Sequence, residues 1–224
     1  MKKVFVVGML LLITLNLSPL YAQNNVTFGF NGGVNLANVS GDDVDDADSK
    51  YGFSAGAFLN VKLSRVFSLR PEIYYASKGF SLEENEYYAD ADYSYDLSAE
   101  SEISLNYLEV PILGVISINK NMNLFAGPYV DYFLSGDAEV ETKGTVRYCS
   151  WGKCTTESIN ESETEDIDSD NMSSPGFGLI VGGEFVMGQF KIGARYSLGL
   201  SNISDNDESD FSHNVIQVMV GVSL

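Results

Sequence analysis

Histidine, cysteine and tryptophan are almost missing from this chain, which has one His, two Cys and one Trp in 224 residues. His213 and the pair Cys149 and Cys154 have no second His or Cys set beside them, so no zinc-type metal centre is expected. Positive charge is scarce. Thirteen Lys and Arg stand against 31 Asp and Glu, for a net charge of −18, which argues against nucleic acid as a partner. After the first twenty or so residues there is no long apolar run, so no helix is expected to span a bilayer. Lys and Ala are sparse, whereas Gly, Tyr, Phe, Ser and Asn are plentiful. That balance favours strands and turns over helices.

The one apolar run is N-terminal. Lys2 and Lys3 precede an apolar stretch from Val4 to Leu17, and Ser18-Pro19-Leu20-Tyr21-Ala22 then breaks the helix and offers a small residue for cleavage. This is the layout of a secretory signal peptide, and it is shorter than the roughly 20 apolar residues of a membrane anchor. No Cys lies near the cut, which excludes a lipoprotein signal. Residues 1–22 are therefore expected to be a signal peptide and residues 23–224 one domain.

The carboxylates are not spread out. Of the 31, 27 fall in four blocks at 42–48, 83–102, 137–170 and 205–210, and only Glu72, Glu109, Asp131 and Glu184 lie between them. The charge-poor stretches between blocks alternate with a period of two, the signature of strands. Phe28, Phe30 and Val34 oppose Gly29, Asn31 and Gly33. Leu69, Ile73 and Tyr75 oppose Arg70, Glu72 and Tyr74. Leu124, Val130 and Tyr132 oppose Phe125, Tyr129 and Asp131, and Ile216, Val218 and Val220 oppose Gln217, Met219 and Gly221. Eight such strands can be read. Ile103 and Leu105 fall out of phase with Leu108, Val110 and Ile112, which points to a bulge or a change of environment near Asn106.

The connections alternate in length. Strands two and three join near Leu63 to Val66, four and five near Asn119 to Met122, and six and seven at Gly188-Gln189; the other four connections are the acidic blocks. Short turns at one end and long loops at the other describe an all-β, eight-stranded antiparallel up-and-down transmembrane β-barrel with long extracellular loops and periplasmic termini, located in an outer membrane. Outer-membrane lipids are then its first partner. A broad, aromatic-rich apolar face suits lipid, and closure of the sheet satisfies every backbone group there. The opposite face mixes glycines with charges of both signs. Lys62, Arg70, Lys191 and Arg195 are expected to pair inside with Glu72, Glu109, Asp131 and Glu184, because buried charges are tolerated only when paired. Eight strands enclose little more than their own side chains, so this set reads as a closing plug; the alternative is a narrow or gated ion path.

Particular residues carry a resemblance. Tyr107-Leu108-Glu109-Val110-Pro111-Ile112-Leu113, Arg70-Pro71-Glu72 followed by Tyr74-Tyr75 and Lys78-Gly79, and Phe28-Gly29 through Gly32-Gly33-Val34-Asn35 together resemble the Bacteroidota outer-membrane β-barrel family called porin-like or PorT-like. The resemblance spans the mature chain and implies an eight-stranded outer-membrane barrel, with little said about activity. The alternating C-terminus is similar to the signal read by the barrel-assembly machinery during insertion, although it ends in Leu224 rather than an aromatic.

Four further features bear on chemistry. Asp166, Asp168 and Asp170 begin like a calcium loop, but Asn171 stands where Gly is needed and Phe177 where a bidentate Glu belongs. The triplet is therefore only a weak divalent-cation candidate. The clusters at 42–48 and at Asp205, Asp207 and Asp210 read as solvated surface. Cys149 and Cys154 can close a small loop in an oxidising compartment, presenting Trp151 and Lys153. His213 follows Ser212 and lies near Asp210, yet adjacency is not a triad, and the chain reads as no enzyme and as needing no cofactor. The expectation is a closed scaffold for acidic surface loops that serve adhesion, envelope stabilisation or contact with a surface or secretion-apparatus protein.

Overall fold

The computed structural model describes residues 25–40, 48–90, 93–151, 153–167, 174–201 and 212–224. The signal peptide, the acids at 42–46, Asp168, Asp170 and the 205–210 cluster lie outside these. The described residues form nine strands: β1 (Val26–Ser40), β2 (Asp48–Lys62), β3 (Phe67–Ala89), β4 (Tyr93–Ser117), β5 (Met122–Ser150), β6 (Lys153–Asp166), β7 (Gly176–Met187), β8 (Phe190–Gly199) and β9 (Ser212–Ser223). All neighbouring strands are antiparallel. The hydrogen-bonded order β1-β2-β3-β4-β5-β7-β8-β9 returns to β1, with Gly29 opposite Ser223 at one end and Ser40 opposite Ser212 at the other. Eight strands thus close a ring, and the ninth stands outside it.

The alternation read from sequence governs all eight ring strands. Phe30, Val34, Phe53, Ile112, Leu179, Ile216, Val218 and Val220 point outward and stay exposed, forming an apolar belt. Asn31, Ser54, Arg70, Glu109, Arg195 and Gln217 point inward and are buried. The turns are tight. Leu63 N donates to Phe67 O, Ile118 N donates to Met122 O, and Gly188 adopts the left-handed φ of 65° that its two-residue turn requires.

Two acidic blocks expected as loops are strand instead. The β3–β4 pairing continues from Phe67 opposite Ile116 to Ala89 opposite Ser94, straight through the 83–102 block. In the 137–170 block, β5 runs on to Ser150 and folds back as β6, which pairs with β5 alone among the described residues. The tops of β3, β4, β5 and β6 thus make a four-stranded sheet standing beyond the barrel. Asp and Glu have low strand propensity, so the period was hidden there; both faces of this sheet meet water, and cross-strand hydrogen bonding sets its structure.

A register shift between Asn106 and Tyr107 marks the join. Tyr107 opposes Phe133 and Asn106 opposes Ser135, so Leu134 is the extra residue, on β5. One extra residue inverts the side-chain alternation. Below it, Leu124, Val130 and Tyr132 face outward; above it, Asp137, Glu139, Glu141 and Lys143 take that side. The bulge thus turns a lipid-type outer face into a water-type one.

Inside the ring, aromatic rings lie on glycines of the adjacent strand. Phe125 sits directly opposite Gly182, and Tyr74 opposite Gly56. A Cβ on Gly182 would meet the Phe125 ring at 2.6 Å, and one on Gly56 would meet the Tyr74 ring at 2.7 Å. These glycines leave the room that lets a large ring lie flat against the wall of a narrow barrel.

Candidate functional site: a paired charge stack in the barrel interior

Inward positions on five strands bring eight ionised side chains onto one axis. Arg70 (β3) donates from both terminal nitrogens to Glu184 (β7), at 2.8 and 2.5 Å. Lys191 (β8) lies 3.5 Å from the same carboxylate, and Asn123 donates to it at 2.9 Å. Further along, Arg195 (β8) bridges Glu72 (β3) at 3.1 Å and Glu109 (β4) at 3.3 Å. Lys78 (β3) then bridges Glu109 at 3.0 Å and Asp131 (β5) at 3.1 Å. Four cations face four carboxylates, and every one of the eight is in an ion pair.

One member differs from the sequence-based expectation. Lys62 is exposed at the end of β2, where the strand leaves the barrel, and takes no part in the stack. Lys78 fills that place, 3% exposed. The signal was available: positions 70, 72, 74, 76 and 78 share one parity of β3. The alternation of apolar and polar residues is clear only as far as Tyr75, so a charge count taken from it stops short of Lys78, which the family resemblance alone picks out.

Aromatic rings wrap the cations. Lys191 Nζ sits 3.4 Å from the Phe58 ring centroid, the Arg195 guanidinium 4.5 Å from Tyr74, and Lys78 Nζ between Tyr107 and Tyr129 at 5.1 and 5.2 Å. Ring faces attract cations most where water is excluded. Phe58 and Tyr74 stand on the polar face by parity, and this packing explains why large rings occupy it. Polar side chains extend the network on the β1–β2–β9 side. Gln217 donates to Asn35 at 2.5 Å and also to Ser54, and Asn31 donates to the Tyr74 hydroxyl at 2.5 Å.

His213 is buried above the stack, edge-on to Tyr107 at a centroid distance of 5.7 Å. Neither ring nitrogen has a hydrogen-bond partner among the described residues. Ser212 and His213 are consecutive strand residues and therefore point to opposite faces, so the two form no nucleophile–base pair. Asp210 lies outside the described residues. Asp166 ends β6 exposed and opposite Asp137, and no group of three His, Cys, Asp or Glu among the described residues could hold a metal.

The tip of the outer sheet carries a second cluster. Cys149 and Cys154, directly opposed across β5 and β6, form a disulfide. It closes the hairpin on which Trp151 stands fully exposed with a left-handed φ of 53°. Beside it, Tyr88, Tyr93, Tyr95 and Tyr148 lie with ring centroids 5.8 to 6.3 Å apart. The Tyr148 hydroxyl donates to Glu157 at 2.8 Å. That hydrogen bond to the carboxylate holds the phenol proton in place, and the neighbouring negative charge adds to it, so the tyrosine pKa is raised. Periodicity did not reveal this tyrosine cluster, because it is assembled from three strands of a segment read as loop.

The solved structures similar to this chain include Ail, the attachment invasion locus protein of Yersinia pestis (14% identity, TM-score 0.43, covering 88% of this chain and 98% of that one). They also include Neisserial surface protein A (14% identity, TM-score 0.41, covering 88% and 97%). The outer membrane channel DcaP of Acinetobacter baumannii is similar at 8% identity and a TM-score of 0.27, covering 89% and 96%. No curated protein matches the sequence. The family model described as "Outer membrane protein beta-barrel domain" matches residues 21–205. The closed ring, the outward apolar belt and that match agree: this chain belongs to the outer-membrane β-barrel domain family and resides in the outer membrane.

Proposed function

We propose that this protein is a non-enzymatic outer-membrane scaffold: a barrel closed by its own ion pairs, displaying an acidic, tyrosine-tipped sheet for contact at the cell surface. The observation that carries the reading is the stack itself. All eight interior charges are paired within the barrel, and an aqueous path would have to part Arg70 from Glu184 and Lys78 from both Glu109 and Asp131. Separating buried pairs is costly because each leaves an uncompensated charge. The long connections of such barrels face outward from the cell, which puts the β3–β6 sheet at the surface. Exposed Tyr and Trp side chains are frequent anchors of protein contacts. They support adhesion, or contact with a surface or secretion-apparatus protein, and the acids suit bridging by divalent cations to phosphate-bearing outer-leaflet glycolipids. Within the family, the Tyr107–Leu113 segment and the β1 and β3 motifs favour the porin-like or PorT-like group of the Bacteroidota.

Conductance across a planar bilayer tests the closed reading. The refolded full chain is expected to be electrically silent. Steady single-channel steps would establish the competing reading, a narrow channel.

A further inference from the structure

The charge of the molecule is polar along the barrel axis. The acids crowd the outer sheet. At the opposite end, the β2–β3 and β4–β5 turns hold Lys62, Arg65 and Lys120, and none of the three is in an ion pair among the described residues. They surround an open recess of about 880 Å³ at the short-turn end of the barrel, the end that faces the periplasm in barrels of this kind. Among the described residues no carboxylate side chain lines it. Its inner wall includes Asn60, Ser68 and Asn123, inward residues of the ring, and Asn60 and Asn123 hydrogen-bond the Arg70–Glu184 pair beyond. The floor is therefore a closed part of the barrel rather than a through-passage.

We propose that this recess binds a short, carboxylate-bearing peptide, and that the stem peptides of the cell wall are its source. The argument is from charge, lining and direction. Three cations without an ion pair among the described residues, set around one concavity whose interior charges balance, give it a positive potential. The amide and hydroxyl side chains supply donors and acceptors of the kind a peptide backbone uses. The volume falls in the ~300–1,000 Å³ range of small-ligand sites, too small for a folded domain. The recess is lined by the inward face and opens along the axis. Its occupant therefore arrives from the periplasmic water rather than from the lipid beside the wall. Binding there would tie the barrel to the cell wall from below while the acidic sheet works above.

The test is co-sedimentation of the full chain, folded in neutral detergent, with purified cell-wall sacculi. The parent protein is expected to co-sediment at low salt and to be released at high salt, as exposed ion pairs are screened. The triple variant Lys62→Gln, Arg65→Gln, Lys120→Gln is expected to lose at least tenfold in affinity, and the triple Glu variant to lose binding altogether. Both should keep the heat-dependent gel shift of a folded barrel, because all three side chains are exposed. The pair Lys143→Glu, Lys153→Glu on the outer sheet should bind like the parent. The inference is overturned if the triple Glu variant co-sediments as the parent does, or if sacculi whose carboxylates have been amidated still bind. It is also overturned if short-chain phosphatidylglycerol, but not a soluble acidic stem peptide, displaces the sacculi, since the site would then be a lipid phosphate site.

Discussion

The decisive perturbation is to remove Lys78, and the decisive comparison is with Lys62. Among the described residues Lys78 is the only cation within ion-pair distance of Asp131, and it shares Glu109 with Arg195. In Lys78→Met the apolar stem is largely kept and the charge is lost. Asp131 is then left without a cation, and the interior holds three cations against four carboxylates. Taking one partner from a buried pair typically costs ~3–5 kcal/mol, because the remaining charge is desolvated and unopposed. The contacts of Nζ with the Tyr107 and Tyr129 rings are lost as well, worth about another 1 kcal/mol. With a urea slope of about 2 kcal/mol/M, the unfolding midpoint should fall by about 2 M. Lys62→Met removes an exposed charge and should stay within ~0.5 kcal/mol of the parent. Urea titration in lipid vesicles, read as the fraction of heat-resistant folded band on a gel, measures both. Trp151 fluorescence is the wrong probe, since that residue stands on the outer hairpin and reports only on the tip. Asp131→Asn in the Lys78→Met background should restore ~1 kcal/mol or more by cancelling the orphaned charge, a coupling of the size seen for residues in one network. The reasoning is refuted if Lys78→Met unfolds with the parent, or if Lys62→Met is the more damaging change.

Three further outcomes follow from the same geometry. Gly182→Val should destabilise by ~1–3 kcal/mol through overpacking against the Ala194 carbonyl oxygen and the Phe125 ring, and Gly182→Val with Phe125→Ala should recover only the part due to the ring on the same urea assay. Cys149→Ser with Cys154→Ser should leave the barrel midpoint unchanged while amide exchange speeds up at the β5–β6 tip, because the bond closes a hairpin that lies outside the ring; equal protection with and without the bond would contradict it. Deleting Leu134 removes the extra residue at the join. It should invert the alternation of the upper half of β5, bringing Glu139 and Glu141 to the inner face, and the protein should misassemble or lose the outer sheet by limited proteolysis.

How much of this was legible in the sequence depends on whether a side chain's environment repeats with the strand. Each ring strand meets lipid on one side and a packed interior on the other. The period of two is therefore imprinted on residues such as Val218 and Gln217, and the faces, the turns and closure into eight strands could be read directly. The charge balance of four against four could be read too. The identity of the fourth cation depended on strand length. The periodicity is clear only to Tyr75, and cross-strand hydrogen bonds to β4 carry β3 onward where the apolar pattern fades; the structure then puts Lys78 in the stack. The outer sheet escaped for the same reason: both of its faces meet water, so Glu157, Glu161 and Glu163 alternate with Ser158, Asn160 and Ser162 without a hydrophobic signal. The sequence by itself determined what is local and periodic, namely strand, face and turn. The tertiary structure decided what depends on register between distant segments: which lysine meets Asp131, which ring lies on which glycine, and where the single bulged residue turns the wall of a barrel into a sheet that stands in water.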